Sequence, residues 1–278
     1  MRILTANIAL GLANSDRLMN NLRGIAAYHT WFALIGIIFS PLRGSGEGPA
    51  HSERRTDYLH KHRDLEPLFR MIQDTGADIV VLNEVIPEIH EPELESRLRS
   101  MGFKTITSGQ GTKYPDAHIS TYIAAKETGK AIPAHMPQLA RPGCGSGVAC
   151  LRLDNGISVI GAHTAFGGSE LWTRQIEALA ALAKAEQEHG QQIILAGDWN
   201  ETQGPILSLP DIQKLGVIPV DPDETPTCPI SLPRFLQRQL DHILVPEAWR
   251  VVDLDTIAFG SDHLAVCAEV AGTSGLNP

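Results

Sequence analysis

Cysteine is scarce in this chain. Its 278 residues carry four, Cys144, Cys150, Cys228 and Cys267, with no CxxC spacing, which excludes a zinc finger and a dense disulfide framework. Buried free thiols are the expectation. Aromatic residues make up 5%, so stacking platforms for single-stranded nucleic acid are few. Positive charge is also short: 23 basic residues face 32 acidic ones, giving a formal charge of -9. That argues against strong generic attraction to nucleic acid, while leaving room for a local basic groove. There is no short internal repeat. The N-terminus reaches the polar Asn7 too soon for a secretory signal, so the expected location is cytoplasmic, with peripheral contact at a membrane surface as the variant considered below.

What is present is a soluble globular composition, 43% apolar and 20% charged, long enough to bury a large core. The expectation is a single domain, 1–278, with an apolar insert at about 15–53. The centre of that insert, Trp31 to Phe39, lies in a run near the minimum length for a membrane span. His29 and its neighbours interrupt the run. It reads as an extra core helix, as an apolar lid or membrane-surface contact, or as a span, in that order. After it comes a basic cluster containing Arg54, Arg55, Lys61 and Arg63.

The rest alternates strands and helices. Arg2 to Ile8 reads as a strand delivering Asn7. Leu65, Leu68, Phe69 and Ile72 recur at helical spacing, with Gly76 as the stop. Asp78 to Val85 is an apolar strand ending in Glu84, and a helix is expected from Pro92 to Met101. Phe103 to Thr107, His118 to Ala125, Gly147 to Leu153 and Ile157 to His163 read as strands, the last two joined by a turn at Asp154-Asn155-Gly156. Ser169 caps a helix whose apolar positions are Trp172, Ile176, Leu179 and Leu182. Ile193-Ile194-Leu195-Ala196 is a buried strand running into Gly197-Asp198-Trp199-Asn200, where alternation predicts Asp198 and Asn200 on one side. Glu201 to Gln239 is Pro-rich and reads as an irregular substrate loop. Asp241 opens a strand, and Ser261-Asp262-His263 precedes the final one, Leu264 to Val270. Strands in both alternating and hairpin arrangements suit two mixed sheets with helices outside.

Polar clusters therefore fall at strand ends six times: Asn7, Glu84, His163, Asp198 with Asn200, Asp241, and Asp262 with His263. A carboxylate beside a carboxamide suits a hard metal ion or an oriented water. In order and in local motif (Leu-Asn-Glu84, Ala-His163-Thr, Gly-Asp198-Trp-Asn200, Leu-Asp241-His, Ser-Asp262-His263), the sequence resembles the endonuclease/exonuclease/phosphatase superfamily. Pancreatic deoxyribonuclease, abasic-site endonucleases, neutral sphingomyelinases and inositol polyphosphate 5-phosphatases belong to it. The likeness covers nearly the whole chain outside the insert. Asn83 stands where Gln is commoner, Trp199 replaces Phe, and Thr-Ala-Phe follows His163 where Leu is frequent.

The resemblance implies an α/β (α+β) four-layer sandwich, two mixed β-sheets packed face to face with helices on the outside. It implies a hydrolase acting on phosphoesters with Mg²⁺ or Mn²⁺, held by Glu84 with Asn7 and Asp262 nearby. Asp198, ordered by Asn200, corresponds to the group that orients and deprotonates the attacking water. Asp241 would hold one ring nitrogen of His263, and His163 corresponds to a phosphate-binding or leaving-group residue. Oxygen donors favour Mg²⁺ or Mn²⁺ over zinc. Three substrate readings stay open: a nuclease, with Arg174, Arg54, Arg55, Arg234 and Arg238 as candidate contacts; a lipid or lipid-headgroup phosphodiesterase using the apolar insert; and a non-enzymatic binding protein. No protein partner is evident.

Overall fold

The computed structural model describes residues 1–8, 64–114, 117–137, 147–228, 237–261 and 263–272. The insert at 15–53, Arg54, Arg55, Lys61, Arg63, Cys144, Arg234 and Asp262 lie outside them.

In chain order the elements are β1 (Arg2–Asn7), α1 (Glu66–Thr75), β2 (Ile79–Val85), α2 (Pro87–Ser100), β3 (Thr105–Ser108), β4 (Gln110–Tyr114), β5 (Ala117–Ala125), β6 (Gly129–Ile132), β7 (Gly147–Leu153) and β8 (Ile157–His163). There follow α3 (Glu170–Glu188), β9 (Gln192–Asp198), α4 (Gln203–Ser208), α5 (Pro210–Gln213), β10 (Val217–Pro219), β11 (Asp241–Pro246), β12 (Arg250–Ala258) and β13 (Leu264–Ala271). Two mixed sheets result. One runs β3-β5-β2-β1-β13-β12 and the other β6-β7-β8-β9-β11-β10, with β4 pairing β5 on one side and β7 on the other. Among the described residues, only β1 with β2 and β8 with β9 are parallel.

Three apolar clusters separate four layers. Between the sheets lie Ile3, Val81 and Ile123 from one and Leu151, Val159, Ile194 and Ile243 from the other. The outer face of the first sheet packs Leu4, Val80 and Leu82 against Leu68 and Phe69 of α1 and Leu94 and Leu98 of α2. The outer face of the second packs Ile160, Ile193 and Leu195 against Trp172, Ile176 and Leu179 of α3. Strands buried on both faces read as continuous apolar runs, which is why β2, β8 and β9 are legible in the sequence.

The Pro-rich stretch after Glu201 is more ordered than its composition suggests, holding α4, α5 and β10. Likewise α2 begins five residues before the expected Pro92, which sits inside it. Pro87 occupies the first turn, where its missing N–H costs nothing. The buried ring of His90 accepts the Ile86 N–H at 3.0 Å, a cap that a search for Ser, Thr, Asp or Asn does not find. By contrast, α1 and α3 start and stop as the spacing predicts. Gly76 closes α1 with φ of 63°, and the Ser169 side chain accepts from the Trp172 N–H.

Candidate active site

The site follows from period-two alternation. In β1, Ile3 faces the other sheet, and so therefore does Asn7. The same parity carries Val81 to Asn83 in β2, Val159 to His163 in β8, Ile194 to Asp198 in β9 and Ile243 back to Asp241 in β11. Each inter-sheet row is mostly apolar, with Thr5 in β1 and Gln192 in β9 as exceptions, and carries a site residue at one end. Strand register gathers those ends. His163 pairs Asp198 across β8 and β9, Asp198 pairs Asp241 across β9 and β11, and Asn7 pairs Asn83 across β1 and β2.

Asp198 is the hub. It is 2% exposed. Its Oδ2 accepts from Asn7 Nδ2 at 2.9 Å and lies 3.7 Å from His163 Nε2 and 3.9 Å from His263 Nε2. Its Oδ1 accepts from the backbone N–H of Asn200 at 2.9 Å. Asn200 reaches it through a turn, with φ of 49°, because β9 ends at Asp198. Strand alternation is therefore not what unites the pair. A two-residue Asx turn is, and the Asn200 side chain donates instead to the Thr164 carbonyl at 2.8 Å. Gly197 is required just before it. Its φ is 140°, and a Cβ there would meet the Ala162 carbonyl oxygen at 1.9 Å.

Glu84 sits on a bulge in β2, between the pairings of Leu82 and Val85, with φ of 59°. The bulge re-aims the side chain. Its Oε1 accepts from Asn7 Nδ2 at 3.4 Å and lies 4.0 Å from His163 Nε2. Glu84 is the most open acid of the group, with a quarter of its side chain accessible (25%) against 2% for Asp198. Positive φ at both Glu84 and Asn200 is uncommon for non-glycine residues, and such conformations cluster at functional sites.

His263 Nδ1 lies 2.8 Å from Asp241 Oδ2, both groups buried. Burial alone would lower the imidazole pKa. The adjacent Asp241 carboxylate, by charge and hydrogen bond, outweighs that and holds the ring well above its ordinary value. The Ser261 hydroxyl donates to the Asn7 carbonyl at 2.6 Å and accepts from the His263 N–H at 3.2 Å. It thus ties the His263 loop to the end of β1.

Two residues that sequence reasoning did not select enter here. Asn83, fully buried, spans the sheets. With its amide in the orientation that satisfies both ends, the oxygen accepts from the Asp198 N–H at 2.9 Å and the nitrogen donates to the Ala162 carbonyl at 3.2 Å and to Thr121 at 3.1 Å. Its inward parity was the available signal. Phe166 is the second. It is 69% exposed on a loop held firmly to the hub turn. The Thr164 N–H donates to Asp198 O, the Thr164 hydroxyl to Trp199 O and the Gly167 N–H to Asn200 O, at 3.0, 2.6 and 2.9 Å. Of the candidate arginines, Arg174 is exposed on α3 and Arg238 is exposed beside the Cys228 bridge. Gln175, next to Arg174, is buried and braces the loop by accepting the Ala165 N–H at 2.7 Å. Cys150 and Cys267 are buried free thiols, and Cys228, also buried, forms no disulfide among the described residues. Among the described residues no helix is long and apolar enough to cross a membrane.

The donor set fits a hard divalent cation. Ligand atoms of Asp198, Asp241 and His263 lie within 4.8 Å of one another, but His263 and Asp241 already engage each other. The more open Glu84 carboxylate, with Asp198 and Asn7 beside it, supplies the oxygens that Mg²⁺ or Mn²⁺ prefers.

A sequence profile of the endonuclease/exonuclease/phosphatase family matches residues 4–263. No curated protein matches at the sequence level. Among solved structures, an endonuclease/exonuclease/phosphatase from Beutenbergia cavernae superposes with a TM-score of 0.63 at 16% identity, covering 97% of this chain and 71% of that one. ANGEL2, a 2',3'-cyclic phosphatase in complex with adenosine-2',3'-vanadate, gives 0.59 at 15% identity, covering 97% and 95%. The 3' phosphatase NExo from Neisseria, bound to a product DNA hairpin, gives 0.55 at 15% identity, covering 98% and 99%.

Proposed function

The chain belongs to the endonuclease/exonuclease/phosphatase family, and on that premise we propose that it is a divalent-metal-dependent phosphodiesterase acting on nucleotide or nucleic-acid phosphoesters. The observation that carries the reading is the convergence of Asn7, His163 and His263 on one buried carboxylate, Asp198, with Glu84 alongside.

Asp198 is placed to orient a water and take its proton as the water oxygen attacks phosphorus. The ester P–O bond then breaks, and the leaving oxygen takes a proton. His263, kept protonated by Asp241, offers Nε2–H to a phosphate oxygen on which charge builds. His163, on the Glu84 side of the hub, serves a second phosphate oxygen or the leaving group. A metal held by Glu84, with Asn7 and Asp262 as further candidate ligands, would neutralise phosphate charge and polarise the P–O bonds. Among the similar structures, ANGEL2 holds an adenosine vanadate and NExo a DNA hairpin, which favours a nucleotide substrate. The net charge of -9 favours a short or terminal phosphoester over a long duplex, which needs a basic track.

The test is turnover by the purified protein with Mg²⁺ or Mn²⁺ on DNA and RNA oligonucleotides, nucleoside cyclic phosphates, phospholipid and sphingomyelin vesicles, and bis(p-nitrophenyl) phosphate. Nucleotide substrates are expected to be cleaved fastest. Preferred cleavage of the vesicles would transfer the assignment to lipid headgroups, and no turnover on any arm would leave a binding protein on this fold.

A further inference from the structure

The Asp241–His263 contact has an unusual structural demand. Asp241 opens β11 in one sheet and His263 immediately precedes β13 in the other. Sheets packed through apolar side chains hold their relative position less sharply than strands within a ladder, and hydrogen bonds at active sites fail with displacements of an ångström or less. Something must fix the start of β11 against the start of β13.

Thr227 occupies that place. It lies in the stretch that composition marks as a loop, yet it is 0% exposed. Its hydroxyl oxygen accepts two backbone N–H groups, Leu240 at 3.1 Å and Asp241 at 3.2 Å, at the entry to β11. Its carbonyl accepts the N–H of Leu264, the residue after His263, at 2.8 Å. Its own N–H donates to the Arg238 carbonyl at 2.9 Å, and the neighbouring Cys228 and Arg238 exchange both backbone hydrogen bonds. Upstream, the buried Asp221 carboxylate takes the Thr225 N–H at 2.9 Å and Gln239 Nε2 at 3.0 Å, closing the segment at both ends. A single threonine thus straps the two strands whose side chains form the pair.

We infer that Thr227 is a positioning residue, whose hydroxyl and carbonyl together hold Asp241 and His263 in register across the two sheets. The inference rests on the assignment of that pair to the reacting site. Thr227 touches neither substrate nor reacting atoms; it acts through the pair. The side-chain methyl fills space, but the positioning is done by the oxygen, so serine retains the function and valine, of equal shape, does not.

The experiment compares wild type, Thr227→Ser and Thr227→Val in two ways. One is kcat and KM on bis(p-nitrophenyl) phosphate with Mn²⁺. The other, independent of turnover, is the downfield proton resonance of the His263 Nδ1–H bonded to Asp241. Thr227→Val is expected to lower kcat about 10- to 100-fold, the scale of an ångström misplacement, with KM within about twofold, since the lost term belongs to the reacting state. Its resonance should broaden or move upfield. Thr227→Ser is expected to keep the resonance and most of kcat. A valine variant with wild-type kcat and resonance overturns the inference, as does a serine variant impaired as badly as valine. If the valine variant does not fold, serine alone decides: loss of the resonance in it overturns the inference. If wild type hydrolyses no diester, the function proposed above fails, and the resonance still judges the strap.

Discussion

Asp198 sees nearly no solvent, and most of what surrounds it could be named from the chain alone. Asn7, His163, Asp241 and His263 each close a largely apolar strand or stand at its threshold, so the polar residue stands out against its row. Phe166 did not stand out, because an isolated aromatic in a loop carries no periodic signal; only the hydrogen bonds of Thr164 and Gly167 to the hub turn reveal its anchored position. A large apolar side chain left 69% exposed on a loop tied to the hub turn suits, on the proposed function, a flat ring on the substrate. Phe166→Ala is expected to raise KM about 5- to 150-fold on nucleotide substrates, the worth of about 1–3 kcal/mol for one stacked base. On a diester without a base KM should barely change. Steady-state kinetics on the two substrates check this, and equal effects on both would remove Phe166 from base recognition.

Elements differ in how openly the sequence declares them. β2, β8 and β9 are apolar through most of their length and bounded by turn residues, so their place is fixed by burial. β12 is not: among the described residues it pairs only β13, lies largely exposed and carries Asp253 and Asp255, so its hydrophobic pattern is weak. β4 and β6 are short, and neither carries an apolar run. Helix α3 shows a different hidden feature. Glu186, on its buried side, receives Arg152 from β7 at 2.7 and 2.8 Å and the Ser158 hydroxyl from β8 at 2.7 Å. The Arg152 hydrogen bond, ahead of the opposing effect of burial, holds the Glu186 carboxyl below its ordinary pKa. A depressed carboxyl stabilises the fold fully above its unfolded-state pKa, about 4.3, and that contribution is lost as pH falls through the folded value. Arg152→Ala should therefore destabilise the protein at neutral pH, and Glu186→Gln should flatten the acid limb of the stability curve. Denaturant unfolding between pH 7 and pH 3 measures both. An unchanged acid limb in Glu186→Gln would show that other carboxyls dominate it.

At the scale of the whole molecule, the sandwich brings together strand ends that are 191 residues apart in the chain, as Asn7 and Asp198 are. Patterning made the layers and most site residues legible. It could not supply the cross-sheet ties at Asn83 and Thr227, because these depend on where one sheet rests on the other. Metal binding to such a preformed site stabilises the folded state by mass action. Mn²⁺ at about 100 times its Kd is worth about 2.7 kcal/mol, and thermal unfolding should show the gain in wild type and lose most of it in Glu84→Gln. An equal gain in both would move the metal away from Glu84. The central claim, that this convergence is a phosphoester-hydrolysing centre built on Asp198, is tested most directly by one comparison: kcat of wild type and Asp198→Asn on bis(p-nitrophenyl) phosphate with Mn²⁺, each variant checked for an unchanged fold. The account predicts a loss of about 10²- to 10⁴-fold, the range of a positioned general base. Equal rates in the two proteins would contradict it.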